Sequence, residues 1–265
     1  MLRWAMMGVL LMVSASVSAD ALLFVSPLRV EMKPGEDSAV ITITNKSDTT
    51  RRYKVEMTDQ VMNAEGVVET AETFPYSSKR MLRFMPRRVV LEAGQRQVVR
   101  VMARRPADLP DGDYHTHLLF EEEQPAATAS AGVSGTEAAK GLTFALGTTY
   151  GVAIPLMVQH GVVSSSIALT DARLKQTVEG KPTDVLAAFH RGGNAEASGM
   201  VTVTSGDTNL VTPRRVRLYR EVDDVVITLP LNEAGAAYHG QAVVRLTDGA
   251  ETAPKILREM TVTFP

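Results

Sequence analysis

Bulky and small side chains alternate without interruption from Leu142 to Ile154. Positions 142, 144, 146, 148, 150, 152 and 154 carry Leu, Phe, Leu, Thr, Tyr, Val and Ile, and the positions between carry Thr, Ala, Gly, Thr, Gly and Ala. A period of two is the repeat of a β-strand with one apolar face. At about 3.3 Å per residue the stretch extends on the order of 40 Å, against a usual strand of about five or six residues. The small face includes Gly147 and Gly151, so another backbone can approach it closely. Two readings follow. The strand belongs to the core of its own sandwich, or it is lent to the fold of another polypeptide. Residues 124–141, QPAATASAGVSGTEAAKG, have no periodicity. Such a segment buries too little apolar surface to order itself, which suits either a surface linker or a mobile lead-in to a strand that needs a partner.

Shorter alternations fill the rest of the chain. Ala21–Val30 predicts a first strand, with Pro27 demoting it to an edge or marking a change of sheet. Ser38–Asn45 alternates with Ile41 and Ile43 on one face, and Arg51–Thr58 sets Tyr53, Val55 and Met57 against Arg52, Lys54 and Glu56. Asp113–Glu121 predicts a further strand. Pro155 and Gly161 mark a boundary, after which the pattern restarts at 163–169, 185–190, 198–204, 215–220, 225–230, 241–246 and 259–264. About seven short strands in about a hundred residues fit an immunoglobulin-like sandwich. The expected fold is therefore all-β: two immunoglobulin-like β-sandwich domains in series, over 20–156 and 157–265.

Met81–Arg104 predicts a hairpin turning at Ala93-Gly94. A two-residue loop there sets Val89 opposite Val98 and Arg87 opposite Arg100. Like charges face to face destabilise a sheet, by roughly 3 kcal/mol before screening at about 5 Å and an effective dielectric near 20. A bound carboxylate between the two guanidinium groups would reverse that sign. The alternatives are a different register, or two arginines pointing into water.

Composition narrows the function. Residues 1–19 read as a secretory signal peptide: Arg3, an apolar run from Trp4 to Val13 too short to span a bilayer, and the small-residue site Val17-Ser18-Ala19. No later segment has the apolar length of a transmembrane helix, so export without membrane insertion is expected. There is no cysteine, which excludes disulfides and thiol chemistry. The formal charge of −2 argues against a nucleic-acid partner. His115 and His117 share a strand face, yet no further ligand stands at metal-binding spacing. No nucleophile elbow, phosphate loop or H-E-x-x-H occurs. The sequence predicts a protein that is not an enzyme and carries no cofactor or metal.

Four motifs now stand in order: S-P-L-R-V-x-M-x-P-G at 26–35, P-R-R-V-V-L-x-A-G-Q at 86–95 with V-R-V at 99–101, L-P-D-G-D-Y-H-T-H-L-L-F at 109–120, and the alternating strand ending near Pro155. Together they resemble the PapD-like periplasmic chaperones of the chaperone–usher pilus pathway, with the third motif closer to the alternative or archaic branch. The resemblance implies two sandwiches set as a boomerang, residence in the periplasm, and pilus or fimbrial subunits and an outer-membrane usher as partners. It implies that the last strand of the first domain completes an unfinished subunit by donor-strand complementation. Leu142, Phe144 and Leu146 would then fill the subunit's groove, with Tyr150 extending the contact. Burying three such side chains supplies about 5–9 kcal/mol before ordering costs. The family also holds the subunit's C-terminal carboxylate on an arginine and a lysine. Arg29 matches the arginine, but Tyr150-Gly151-Val152 stands where the lysine belongs. Arg87 and Arg100 are the substitutes the sequence offers, and Arg29 has an alternative role between the domains. A long apolar edge also allows free copies to self-associate. Two other readings compete: a secreted pilus subunit or adhesin, and a periplasmic metal-binding sandwich using Met81, Met85, Met102 and the two histidines.

Overall fold

The computed structural model describes residues 23–123, 150–176 and 181–265. The expected leader and the expected donor residues Leu142, Phe144 and Leu146 lie outside them. The architecture is two β-sandwiches in series, as the alternation predicts.

The first sandwich holds β1 (Leu23–Ser26), β2 (Val30–Met32), β3 (Ser38–Asn45), β4 (Arg51–Met62), β5 (Val68–Ala71), β6 (Leu82–Met85), β7 (Arg88–Leu91), β8 (Arg96–Ala103), β9 (Gly112–Glu122) and β10 (Gly151–His160). One sheet runs β1-β3-β8-β6; the other runs β2-β10-β9-β4-β5, with β7 also pairing β4. Alternate residues meet between them, among them Ile41, Val99, Leu118, Phe120, Ile154 and Leu156, all essentially without solvent contact. β10 continues to His160, beyond position 156.

The second sandwich holds β11 (Ser165–Gln176), β12 (Pro182–Gly193), β13 (Ala197–Ser205), β14 (Thr208–Asn209), β15 (Arg214–Leu218), β16 (Asp224–Pro230), α1 (Glu233–Ala236), β17 (Gly240–Thr247) and β18 (Ile256–Phe264). Its sheets are β11-β12-β16 and β14-β13-β17-β18, with β15 on β13. Val185, Phe189, Val201, Val203, Leu218 and Val244 centre its core. Each of the seven stretches expected after position 161 forms a strand.

Two prolines mark changes of sheet. Ser26-Pro27 and Met85-Pro86 are cis peptides, and in each case the strand before lies in one sheet and the strand after in the other. Pro27 and Pro86 have no N–H for a ladder and each stands between the two strands it separates, whereas Pro155 lies within β10. Pro27 thus divides the expected Ala21–Val30 strand into β1, antiparallel to β3, and β2, parallel to β10. Pro86 overturns the expected hairpin. β7 pairs β4, with Val89 opposite Tyr53, while β8 pairs β3 and β6. Val89 does not face Val98, and Arg87 does not face Arg100. Arg100 stands between Val40 and Met85. The turn at Ala93-Gly94 exists, with Gly94 at a φ of 72°, but it arches from one sheet to the other.

Asn45 closes that arch. It is fully buried at the end of β3, and its Nδ2 donates to the carbonyls of Thr49 (2.7 Å), Leu91 (3.0 Å) and Glu92 (3.1 Å). Its Oδ1 accepts from the backbone N–H and hydroxyl of Ser47. A buried carbonyl left without a donor costs about 1–3 kcal/mol. Asn45→Ala is therefore expected to lower stability by about 2–3 kcal/mol in urea unfolding, far more than Ser47→Ala at the exposed turn.

Candidate functional site

The candidate site starts at β10. Along its whole length β10 pairs β9, from Gly151 opposite Glu121 to His160 opposite Gly112. On its other side β2 pairs only Leu156, Met157 and Val158. Among the described residues, nothing pairs the outer edge of Gly151–Pro155. Val152 and Ile154 turn toward the core, while Gly151 and Ala153 are exposed. Tyr150 is 62% exposed, and its carbonyl accepts from the Glu122 N–H at 2.9 Å. A free edge offers backbone donors and acceptors to another chain. It can extend a sheet by one strand, which is recognition rather than bond chemistry.

Below this edge lies a polar seam between the two sandwiches. β9 is buried on both faces over most of its length. Its even residues, Leu118 and Phe120, enter the first core. Its odd residues, Asp113, His115 and His117, meet the second sandwich. Asp113 accepts the Glu196 backbone N–H at 2.6 Å and donates its own N–H to the Asn194 carbonyl at 3.1 Å. His115 packs its ring 4.5 Å from that of Tyr219 and sets Nε2 3.0 Å from the Gln60 carbonyl and 3.6 Å from Glu221 Oε1. His117 Nε2 lies 3.4 Å from the Tyr219 hydroxyl. Gly112, at a φ of 139°, is needed here, since a Cβ would meet the Asn194 carbonyl oxygen at 2.5 Å.

The β4–β5 hairpin adds a second tie. The Met62 N–H donates to Glu221 Oε1 at 2.9 Å, Met62 packs into the second core, and the Val226 N–H donates to the Ala64 carbonyl at 2.8 Å.

Arg29 sits at the seam, not at the β10 edge. Its Nε reaches Glu31 at 2.6 Å and its Nη2 reaches Glu196 at 2.9 Å, with 18% and 10% of the Arg29 and Glu196 side chains exposed. It lines a cleft of about 210 Å³ with Met157, Gln159, Ser164, Ser165 and Ser198. Arg87 is exposed, 5.4 Å from the Phe84 ring centroid, and lines a separate notch with Lys79, Arg83 and Glu56. Arg100 lies on the outer face of β8. The structure does not oppose these two arginines, so the expected two-guanidinium clamp has no strand pairing behind it.

Burial sets the charges of the seam. It holds His115 and His117 down to about 4, with the neighbouring histidine adding to the effect at His117. It pushes the Glu196 carboxyl up to about 7 against the pull of Arg29, and the Tyr219 hydroxyl up to about 12. Asp113 and Glu221 are also raised by burial. His115 Nδ1, His117 Nδ1, Asp113 Oδ1 and Glu221 Oε2 have no hydrogen-bond partner among the described residues. The histidines therefore sit neutral, as packing and hydrogen-bonding groups. Among the described residues, no group of three or more His, Cys, Asp or Glu is placed to hold a metal ion. Sequence reasoning missed Asp113, Glu196, Tyr219 and Glu221. The one available signal was a polar face, His115 and His117, on a strand whose other face carries Leu118 and Phe120.

No protein-family model matches the sequence, and no curated protein matches it. Among solved structures, a chain of the CsuC–CsuE chaperone–tip adhesion subunit pre-assembly complex from archaic chaperone-usher Csu pili of Acinetobacter baumannii superposes at a TM-score of 0.50 and 11% identity, over 92% of this chain and 99% of that one. A chain of the chaperone–tip adhesin complex of CFA/I fimbriae gives 0.49 and 13%, over 92% and 100%, and the YadV chaperone gives 0.49 and 9%, over 91% and 100%. The Csu likeness establishes the class of fold: the two-domain β-sandwich of the pilus chaperones.

The pH dependence of the seam follows from its histidines. Their folded pKa of about 4 lies below the ordinary 6.5, so on acidification the unfolded chain takes up protons first. The stability they contribute is complete above about 6.5 and is lost as pH falls toward 4. Relative to His115→Gln/His117→Gln, the wild type is expected to lose up to about 3 kcal/mol per histidine across that window. The measurement is urea unfolding at a series of pH values. Glu196, raised rather than lowered, acts with the opposite sign, so the difference between the two proteins, not the wild-type curve alone, is the readout.

Proposed function

We propose that this chain is a periplasmic chaperone for pilus or fimbrial subunits, a binding protein rather than an enzyme. It donates the strand leading into β10 to an unfinished subunit and delivers that subunit to an outer-membrane usher. The observation that carries this reading is the free edge of Gly151–Pro155, hydrogen-bonded on the β9 side alone among the described residues. In the sequence, Leu142, Phe144 and Leu146 share the parity of Tyr150, Val152 and Ile154, so a strand continued from β10 carries them on one face. Strand addition supplies backbone hydrogen bonds for register and apolar side chains for affinity. The likeness of fold to a chaperone–subunit complex supports the same reading. The expected boundary at 156/157 falls inside β10, whose Val158 lies in the first core, so the first domain is proposed to run from 20 through His160 and the second from Gly161 to 265.

For the subunit's C-terminal carboxylate, Arg29 is the proposed contact. It already borders a cleft, and an incoming carboxylate would compete with Glu31 and Glu196 for the guanidinium. Arg87 and Arg100 are not given a joint role, because the strand pairing that would bring them together is absent.

The test is co-expression in the periplasm with a pilus subunit. Leu142→Asp/Phe144→Asp/Leu146→Asp is expected to cut subunit recovery at least about tenfold, since each lost side chain is worth about 1.5–3 kcal/mol, while the chaperone itself still folds. Unchanged recovery overturns the donor-strand reading. Arg29→Ala is expected to lower recovery, whereas Glu196→Gln, which releases Arg29, is expected to leave it unchanged or raised. Equal losses in both variants would make Arg29 a structural tie between the sandwiches instead.

A further inference from the structure

The outer face of the sheet β1-β3-β8-β6 has an unusual composition. Its outward positions follow from the alternation and the register. Across the middle, Val40, Arg100 and Met85 lie side by side, and at one end Ser38, Met102 and Arg83 do so. Toward the other end, Val98 lies opposite Thr42, and Thr44 lies between Phe24 and Arg96. Phe24, Val40, Val98 and Met102 are 45–53% exposed and Met85 is 69% exposed. All remaining outward positions on the four strands are serine or threonine, and the four strands contain no Asp or Glu at all.

Isolated exposed apolar residues are ordinary, but a cluster interleaved with one sign of charge marks an interaction surface. On other strands several exposed cations have an anion beside them, while Arg52, Lys175, Arg214 and Arg258 have none among the described residues. Arg245 pairs Glu259 across β17 and β18, Arg173 pairs Asp171, and Lys54 pairs Glu56. Arg83, Arg96 and Arg100 have no ion pair among the described residues. Arg96 and Arg100 stand four residues apart on one strand, about 13 Å. Arg83 and Arg100 are diagonal neighbours on adjacent strands, about 7–8 Å apart.

We infer that this face binds an acidic polypeptide surface whose carboxylates and apolar side chains alternate at strand spacing. The guanidinium groups of Arg96 and Arg100, with Arg83 at the β6 edge donating to the Arg80 and Leu82 carbonyls, match carboxylates presented by another strand or sheet face. The apolar side chains between them then lose water on the same contact. A second copy of this chain would set arginine against arginine, and a bilayer has no carboxylates held at the height of the valines. The face lies on the opposite sheet from β10, so it is a second surface, independent of the strand-donating edge.

The probe is a short fluorescent peptide alternating glutamate and valine, with the lysine-for-glutamate peptide as control, read by anisotropy and by backbone amide shifts of the full chain. The acidic peptide is expected to bind, to shift the amides of β3 and β8, and to weaken as NaCl is raised, while the basic peptide does not bind. Arg96→Ser/Arg100→Ser is expected to weaken binding about fivefold or more, with little change in Tm because both side chains are exposed. Should that double variant fail to fold, Arg83→Ser and the wild-type salt titration decide the same question. Equal affinity for both peptides, amide shifts elsewhere, or unchanged binding by the variants overturns the inference. So does a concentration-dependent dimer that the arginine variants abolish, or preferential binding to phosphatidylglycerol vesicles. Recovery of a pilus subunit reads the β10 edge alone, so failure of one proposal leaves the other standing.

Discussion

A strand with no solvent face constrains everything around it. β9 gives Leu118 and Phe120 to one core and Asp113, His115 and His117 to the second sandwich. Burying polar groups is tolerated only where they are bonded or neutral. The seam meets that demand with backbone partners for Asp113 Oδ2, Glu221 Oε1 and His115 Nε2, and leaves Asp113 Oδ1 and Glu221 Oε2 without one among the described residues. The Glu196 N–H goes to Asp113, the Gln60 carbonyl faces His115, and the Met62 N–H goes to Glu221. Neutral histidines complete it. Because the same strand is the partner of β10, whatever holds the two sandwiches together also fixes the platform on which the free edge stands.

Two sheet edges of the molecule are handled differently. At β18 and β17 a cross-strand ion pair occupies the exposed face, which gives approaching chains little to gain. At β10 the edge is neutral, carries Gly151 and Ala153, and is covered by β2 only from Leu156 onward. Unprotected edges invite pairing, so leaving one bare is a choice with a cost in solubility. It is intelligible where pairing with another chain is the activity.

Much of this fold is readable from alternation, because a sandwich strand with one buried face writes its burial directly into a period of two. Seven of the eight strands described in the second half come from that signal, and the sheet change at Pro27 from the proline within its run. The pairing of β7 was not readable in the same way. Alternation says which face a residue takes but not which strand it meets, and a turn at Ala93-Gly94 fits a hairpin and an arch equally well. Pro86, like Pro27, lacks an N–H and stands where the chain crosses from one sheet to the other, a crossing that alternation does not mark. The seam was invisible for another reason. Asp113 and Glu196 are far apart in the chain, and each looks like an ordinary exposed carboxylate until the two sandwiches meet. As for the proposed donor residues, Leu142, Phe144 and Leu146 rest on sequence parity alone, with Tyr150 and the open edge marking where the described strand begins.

The parallel pairing of β2 with Leu156–Val158 has a geometric corollary. A visiting strand that zips along β10 from Tyr150 must halt where β2 already occupies the ladder, and Pro155 just before that point offers no N–H of its own. The open edge thus has a hard stop at one end. Were another chain to pair there as proposed, its length as well as its side-chain shape would be measured, since a segment too long for the open stretch has nowhere to place its last residues.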